Sequence, residues 1–323
     1  MTRTEHLGQA IEQYIAQIDY PAEPSRLYDP IRYTMEQEGK RLRPMLVAMT
    51  HGLWHDDPTE ALPAAAAVEM FHNFTLLHDD IMDNAPLRRG RPSVYNRWGS
   101  NVAILSGDEL MIYSYRELCR VRAEVLPAVL GYFNEAGVRV CEGQQSDMDF
   151  EGREGVTLSE YIAMIELKTS ALFVGAVSMG AVIAGASAAD VERLRDFARE
   201  FGVAFQMQDD LLDAYGDARL GKSVGGDILE GKKTFLKLWA LARATPEERV
   251  VLSTAHLDPD ITPAGKIERV LAIYNRYGAR EATEREITRR FEVAASSLNG
   301  LSAGSERVEE FKAFALSLLG RTK

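Results

Sequence analysis

The sequence predicts an all-α fold in a single domain, and three observations carry that expectation. Apolar residues recur at helical spacing through nearly the whole chain, while the alternation of a half-buried strand hardly occurs. Glycine and proline punctuate these stretches at Pro21, Pro24, Pro58, Pro86, Gly90, Gly152, Gly155, Gly221, Gly225, Gly226 and Pro263, where helices stop and turns begin. No internal repeat, low-complexity run or long linker divides the 323 residues, so the expected domain is 1–323, its helices surrounding a central cavity.

In chain order, helices are expected over 11–18, 44–53, 61–77, 102–118, 126–140, 158–168, 189–205, 234–244, 262–277 and 279–298. The opening MTRTEHLGQAIEQYI has the pattern of an amphipathic helix, not of a signal peptide. Thr157 and Glu160 have the spacing of a capping box. The most apolar run, 171–186, has sixteen residues, against about 20 for a membrane span. Gly175, Gly180 and Gly185 within it allow a neighbouring helix to come close, so a core helix and no transmembrane segment is expected.

Composition narrows the function. The chain is 46% hydrophobic and 26% charged, ordinary for a globular protein. Its formal net charge of −11, with no basic stripe, argues against a nucleic-acid partner. Cys119 and Cys141 are the only cysteines and form neither a disulfide framework nor a metal knuckle. A cytoplasmic protein is the expectation.

The chemistry concentrates in two places. The apolar helix carrying Val68, Met70, Phe71, Phe74, Leu76 and Leu77 runs into Asp79, Asp80 and Asp83. Carboxylates at i, i+1 and i+4 share one side of a helix. Grouped there they repel one another unless a cation joins them, and a hard divalent ion with oxygen ligands meets that need. Arg88, Arg89 and Arg91 follow, and arginine forks match phosphate oxygens. The pattern recurs at Asp209, Asp210 and Asp213, behind Phe197, Phe201, Val203 and Ala204 and ahead of Lys222, Lys232 and Lys233. Two such copies are expected to face one another around a polyphosphate. A third basic element, Gly39-Lys40-Arg41-Leu42-Arg43-Pro44, sets three cations before a helix that Pro44 can open, and helix N-termini attract anions. His72 falls about 20° from Asp79 on the helical wheel, hence on the same face.

Paired DDxxD motifs, with GKRLRP at 39–44 before them and GKSVGGD at 221–227 after, closely resemble the trans-isoprenyl diphosphate synthases over almost the whole chain. The resemblance implies an isoprenoid-synthase-type helical bundle. It also implies a head-to-tail condensation of isopentenyl diphosphate with an allylic diphosphate (dimethylallyl, geranyl or farnesyl), in a homodimer. On that match Lys40, Arg43, His72 and Arg89 hold isopentenyl diphosphate. Asp79 and Asp83 ligate Mg²⁺ with Asp80 in support, and Asp209 does so on the opposite wall with Asp210 and Asp213 nearby. Three Mg²⁺ ions are implied, with Mn²⁺ as a possible substitute. Arg88, Lys168 and Lys222 hold the allylic diphosphate, and Lys232 faces the site. Thr169 and Gln206 turn oxygen dipoles to the allylic cation. Asp227 either contacts a metal-bound water or caps the segment after it.

Two alternatives have their own marks. A class I terpene cyclase resembles the first motif but replaces the second with an Asn/Ser/Glu triad and has no use for the 39–44 site. A non-catalytic modulating subunit carries degraded aspartate motifs, whereas both are intact here. Product length is read on the helix before the first motif, where Phe74 and Phe71 lie about 7.5 and 12 Å from Asp79. The wheel puts Phe74 about 140° and Phe71 about 80° from Asp79, so Phe74 is expected in the core and either Phe71 or a facing residue such as Met111 or Tyr115 is expected to form the floor. The expected product is C20, with C15 as the alternative.

Overall fold

The computed structural model describes residues 2–37, 39–216 and 225–319. The chain forms α1 (Arg3–Ala16), α2 (Ser25–Met35), α3 (Leu42–His51), α4 (Leu62–Met82), a hairpin of β1 (Leu87–Arg88) and β2 (Arg91–Pro92), α5 (Val94–Trp98), α6 (Ser100–Leu118) and α7 (Leu126–Glu151). It continues through α8 (Leu158–Ile165), a π-helical turn (Glu166–Ser170), α9 (Ala171–Ile183), α10 (Ala188–Tyr215), α11 (Gly226–Glu230) and α12 (Phe235–Leu241). It ends with α13 (Pro246–Thr254), α14 (Pro263–Arg276), α15 (Ala279–Ser297) and α16 (Ser305–Leu319). The fold is all-α, as expected. Helices α2, α5, α11, α13 and α16 and the two-residue strands were not.

Residues gather into two compact units: Met1–Glu135 with Leu172–Arg195 and Gly300–Phe314, and Ala136–Ala171 with Asp196–Asn299 and Ala315–Lys323. Four of the boundaries fall inside α7, α9, α10 and α16. In the first unit α4 is the central element. Its alanine-rich first half, Ala64 to Ala67, and then Val68, Met70 and Phe71 are buried, and small side chains let α3 and α6 pack along it. Gly180 of α9 lies against the backbone of α3, where an added Cβ would sit 2.4 Å from the Val47 carbonyl oxygen.

In the second unit the capping box at Thr157 and Glu160 opens α8, both reciprocal bonds being present. Phe197 and Phe201 stack along α10 with ring centres 5.4 Å apart. The helical run Leu158–Ile183 is long and apolar enough to cross a membrane by length and composition. With 72% of its most apolar window buried inside the protein, it has the character of a core helix.

Candidate active site

The first unit holds the first aspartate motif and the basic 39–44 loop. Asp79, Asp80 and Asp83 occupy the last turn of α4 and its C-cap. The three do not share one environment. Asp79 and Asp83 reach the surface, whereas Asp80 turns inward and is 2% exposed. Two nitrogens of Arg88 donate to its Oδ1, at 2.8 Å from Nε and 2.5 Å from Nη2. Burial raises the Asp80 carboxyl above the usual range, and Arg88 opposes that.

Arg88 is placed by the hairpin, whose turn residues Arg89 and Gly90 have φ of 52° and 75°. Both are left-handed, as a tight two-residue turn between twisted strands requires. Arg91 lies over the Tyr33 ring at 4.2 Å, and the Tyr33 hydroxyl donates to the Pro92 carbonyl at 2.8 Å, which pins the hairpin to α2. The turn carries the Arg89 guanidinium against Gly39, where an added Cβ would meet Nη1 at 3.2 Å. A side chain at Gly39 would press on that guanidinium and shift it by a few tenths of an ångström.

Of the motif's three cations, Arg41 does not join this group. It holds φ of 43° and is buried, donating to Glu69 at 2.7 Å, to Glu12 at 2.9 Å and to the Met35 carbonyl at 2.8 Å. Arg43, in the first turn of α3, donates to His72 Nε2 at 3.0 Å and lies 4.9 Å over the Phe173 ring. Burial, then Arg43 and Arg89, push His72 well below the usual imidazole pKa, so the ring is neutral and its Nδ1 carries the proton. The structure therefore brings together Arg43, His72, Arg89 and the Gly39–Lys40 loop. Below the first motif, Phe71 packs its ring on Phe74 and Phe133, Tyr115 also meets Phe133, and Phe74 meets His78.

The second unit holds the second motif and the π turn. A π turn inserts one residue into the helical ladder and commonly marks a functional position. Here it presents Lys168 and Thr169. Close packing fixes it from two sides: a Cβ on Gly143 of α7 would lie 2.2 Å from the Lys168 backbone nitrogen, and one on Gly202 of α10 would lie 2.6 Å from Ser170 Cα. Lys168 Nζ donates to Asp147 at 2.6 Å. Thr169 Oγ1 donates to Gln206 Oε1 at 2.8 Å, and Gln206 Nε2 donates to Asp210 Oδ1 at 2.9 Å. The Tyr161 hydroxyl donates to the other Asp210 oxygen at 2.5 Å. Burial pushes the Asp210 carboxyl up to about 6, against both hydrogen bonds.

Asp209 and Asp213 are partly accessible, so this motif also buries its middle aspartate and leaves the outer pair in reach. Asp213 accepts the Asp227 backbone N–H at 3.0 Å, and burial raises the Asp227 carboxyl well above the usual range. Lys232 pairs with Glu230 at 2.9 Å, with Asp227 at 4.0 Å. Lys222 and the rest of 217–224 lie outside the described residues. Sequence reasoning passed over Asp147 and Tyr161. Gly143 and Asp147, four apart on one helix, share a face, and that spacing was the available signal for Asp147.

Hard carboxylate oxygens in accessible i, i+4 pairs fit a Mg²⁺ ion. Among the described residues no three carboxylate, imidazole or thiolate groups form a closed cage. An ion that completes its octahedron with water and substrate phosphates does not require one.

An all-helical chain with paired aspartate motifs and cations beside them has the make-up of a synthase acting on diphosphate esters. The Polyprenyl synthetase profile matches residues 24–274, and the chain belongs to that family. It is 45% identical over 224 residues to a short chain isoprenyl diphosphate synthase of Methanocaldococcus jannaschii, covering 69% of this chain and 68% of that one. It is 40% identical over 244 residues to a geranylgeranyl diphosphate synthase of Methanosarcina mazei, covering 75% and 74%. A crystal structure of a geranylgeranyl pyrophosphate synthase superposes with a TM-score of 0.93 at 37% identity, covering both chains completely.

Proposed function

We propose that the protein is a prenyltransferase that joins isopentenyl diphosphate head-to-tail (1′-4) to an allylic diphosphate, releasing diphosphate and forming a short-chain all-trans prenyl diphosphate. The observation that carries this is the cluster of Arg43, His72, Arg89 and the Gly39–Lys40 loop. It is an anion site separate in sequence from the second motif and its lysines, as two diphosphate substrates require. A cyclase acts on one. The names of the relatives support the same reaction.

Lys40, Arg43, His72 and Arg89 bind the isopentenyl diphosphate group, a bidentate guanidinium being matched to its oxygens. Arg88, Lys168, Lys222 and Lys232 hold the allylic diphosphate and stabilise the charge it gains on leaving. Asp79, Asp83 and Asp209 would hold Mg²⁺, three ions with Mn²⁺ able to replace them, with Asp80, Asp210 and Asp213 in support. The metal supplies Lewis-acid stabilisation of the departing diphosphate. The C1–O bond breaks with its electron pair going to diphosphate. Thr169 and Gln206 present oxygen lone pairs to the allylic cation, and the apolar helices keep water from it. The isopentenyl double bond attacks C1, and the proton then lost from the new chain goes to the released diphosphate.

The aromatic cluster of Phe71, Phe74 and Phe133 supports a C20 main product, with C15 as the alternative. A homodimer is supported by an apolar face on α6, where Leu105 and Ile112 are 60% and 56% exposed. A cytoplasmic site and a single domain complete the proposal. Diphosphate release by purified protein with Mg²⁺ tests it: release must require isopentenyl diphosphate and an allylic primer together. Release from the allylic substrate alone, with hydrocarbon formed, would make the protein a cyclase.

A further inference from the structure

Tyr161 has no part in the mechanism above, yet it is fully buried on α8 with its hydroxyl on the second aspartate motif. We propose that Tyr161 is a positioning residue whose hydroxyl, acting through Asp210, sets the direction of the Gln206 amide and the Thr169 hydroxyl. The inference rests on the proposed condensation and deepens it.

The argument is one of hydrogen-bond direction. A phenol hydroxyl at 2.5 Å from a carboxylate oxygen donates. Burial and Asp210 raise the Tyr161 pKa well above its usual value, so the phenol keeps its hydrogen. The other Asp210 oxygen accepts from Gln206 Nε2 at 2.9 Å, which fixes the amide nitrogen on the Asp210 side. Gln206 Oε1 then faces Thr169 and accepts its hydroxyl hydrogen at 2.8 Å. Every hydrogen in the chain from Thr169 to Asp210 and from Tyr161 to Asp210 points at that one carboxylate. Thr169 is left with lone pairs to offer and no hydrogen, which suits an electron-poor carbon. Asp210, 6% exposed and with both oxygens engaged, serves as the anchor of this network.

Without the phenol hydrogen a buried Asp210 oxygen loses its partner. The Gln206 amide is then free to turn over and present N–H where Oε1 now lies. Packing is preserved in Tyr161→Phe, so the loss is one of orientation.

The test uses the full chain with Mg²⁺, isopentenyl diphosphate and geranyl diphosphate. Tyr161→Phe is expected to lower kcat about 10- to 100-fold, less than the roughly 100- to 1000-fold lost with a donor that touches the reacting group, because Tyr161 acts through Asp210, with both KM values and the half-saturating Mg²⁺ concentration within about twofold of the parent. Added to Thr169→Val, it should lower kcat by less than about threefold more, because both break one chain. p-Aminophenylalanine at position 161 retains a donor and should restore most of the rate. Thermal melting establishes that the variants fold. If Tyr161→Phe does not fold, Asp210→Asn takes its place, its loss of kcat likewise failing to multiply with that of Thr169→Val. An unchanged kcat, or multiplicative effects with Thr169→Val, overturns the inference. An inactive parent protein removes the condensation itself; an active parent with an unaffected Tyr161→Phe removes only the network.

Discussion

The Arg43 guanidinium donates to Nε2 of a neutral His72 across 3.0 Å, tying the first turn of α3 to α4. The pair fixes the guanidinium at the N-terminal turn of α3, next to the Gly39–Lys40 loop in the chain. Arg43→Ala and Lys40→Ala should each raise KM for isopentenyl diphosphate about 10- to 100-fold, the loss of one charge-assisted contact of ~1.5–3 kcal/mol. KM for the allylic primer should change far less. Steady-state kinetics with each substrate varied in turn measures the difference, and equal effects on both would give the motif a structural role.

Gly143 governs how closely α7 approaches the π turn. Gly143→Ala would place a methyl 2.2 Å from the Lys168 nitrogen, so the turn must shift. A loss of ~1–3 kcal/mol of stability is expected, with kcat falling because Lys168 and Thr169 move. Gly131→Ala on the same helix meets nothing within 4 Å and should stabilise by up to about 1 kcal/mol. Melting temperatures and rates of the two variants settle it; like behaviour would mean the approach at Gly143 is not tight.

What the sequence disclosed was local. Acidic residues at i, i+1 and i+4, a cation run before a helix, and Thr157 with Glu160 can be recognised without the fold. What it hid depended on partners far away in the chain. The wheel placed Asp79, Asp80 and Asp83 on one side, yet Asp80 is drawn inward by Arg88 and Asp210 by Tyr161, 49 residues distant. Arg41 stood among the cations of its motif until the left-handed backbone turned it to Glu69. The hairpin escaped because its strands are two residues long and held by Tyr33. Helix α2 escaped because Pro30 sits inside it. Tyr115, expected as an alternative floor to Phe71, meets Phe133, and Phe133, on α7, also meets Phe71.

His51 gives stability a pH dependence of known sign. It is 1% exposed, neither ring nitrogen has a hydrogen-bond partner among the described residues, and burial followed by His55 lowers its pKa to about 4. Above pH 6.5 the imidazole is neutral folded and unfolded and contributes nothing. Between 6.5 and about 4 the unfolded chain binds a proton that the folded chain refuses, so stability falls as pH falls. His51→Leu should flatten this: from pH 7 to pH 4.5 its melting temperature should drop about 2–4 °C less than that of the parent. Parallel curves would show that His51 titrates normally.

Ile104, Leu105, Ile112 and Tyr115 lie within about 100° of one face of α6, and all four are exposed. The proposed homodimer covers them. Leu105→Glu combined with Ile112→Glu should convert the protein to a monomer in light scattering, while melting temperature changes little, because these side chains are not in the core of the chain. A parent protein that is already monomeric contradicts the dimer.

The most direct test of the account is the size of what the protein makes. Purified protein is given Mg²⁺, labelled isopentenyl diphosphate and, in separate reactions, dimethylallyl, geranyl or farnesyl diphosphate, and the dephosphorylated products are sized by chromatography. The account predicts label in linear all-trans alcohols from every accepted primer, with C20 the main product and C15 the alternative. Label that stays in unreacted isopentenyl diphosphate with every primer, or primer converted to unlabelled cyclic hydrocarbon, would contradict it.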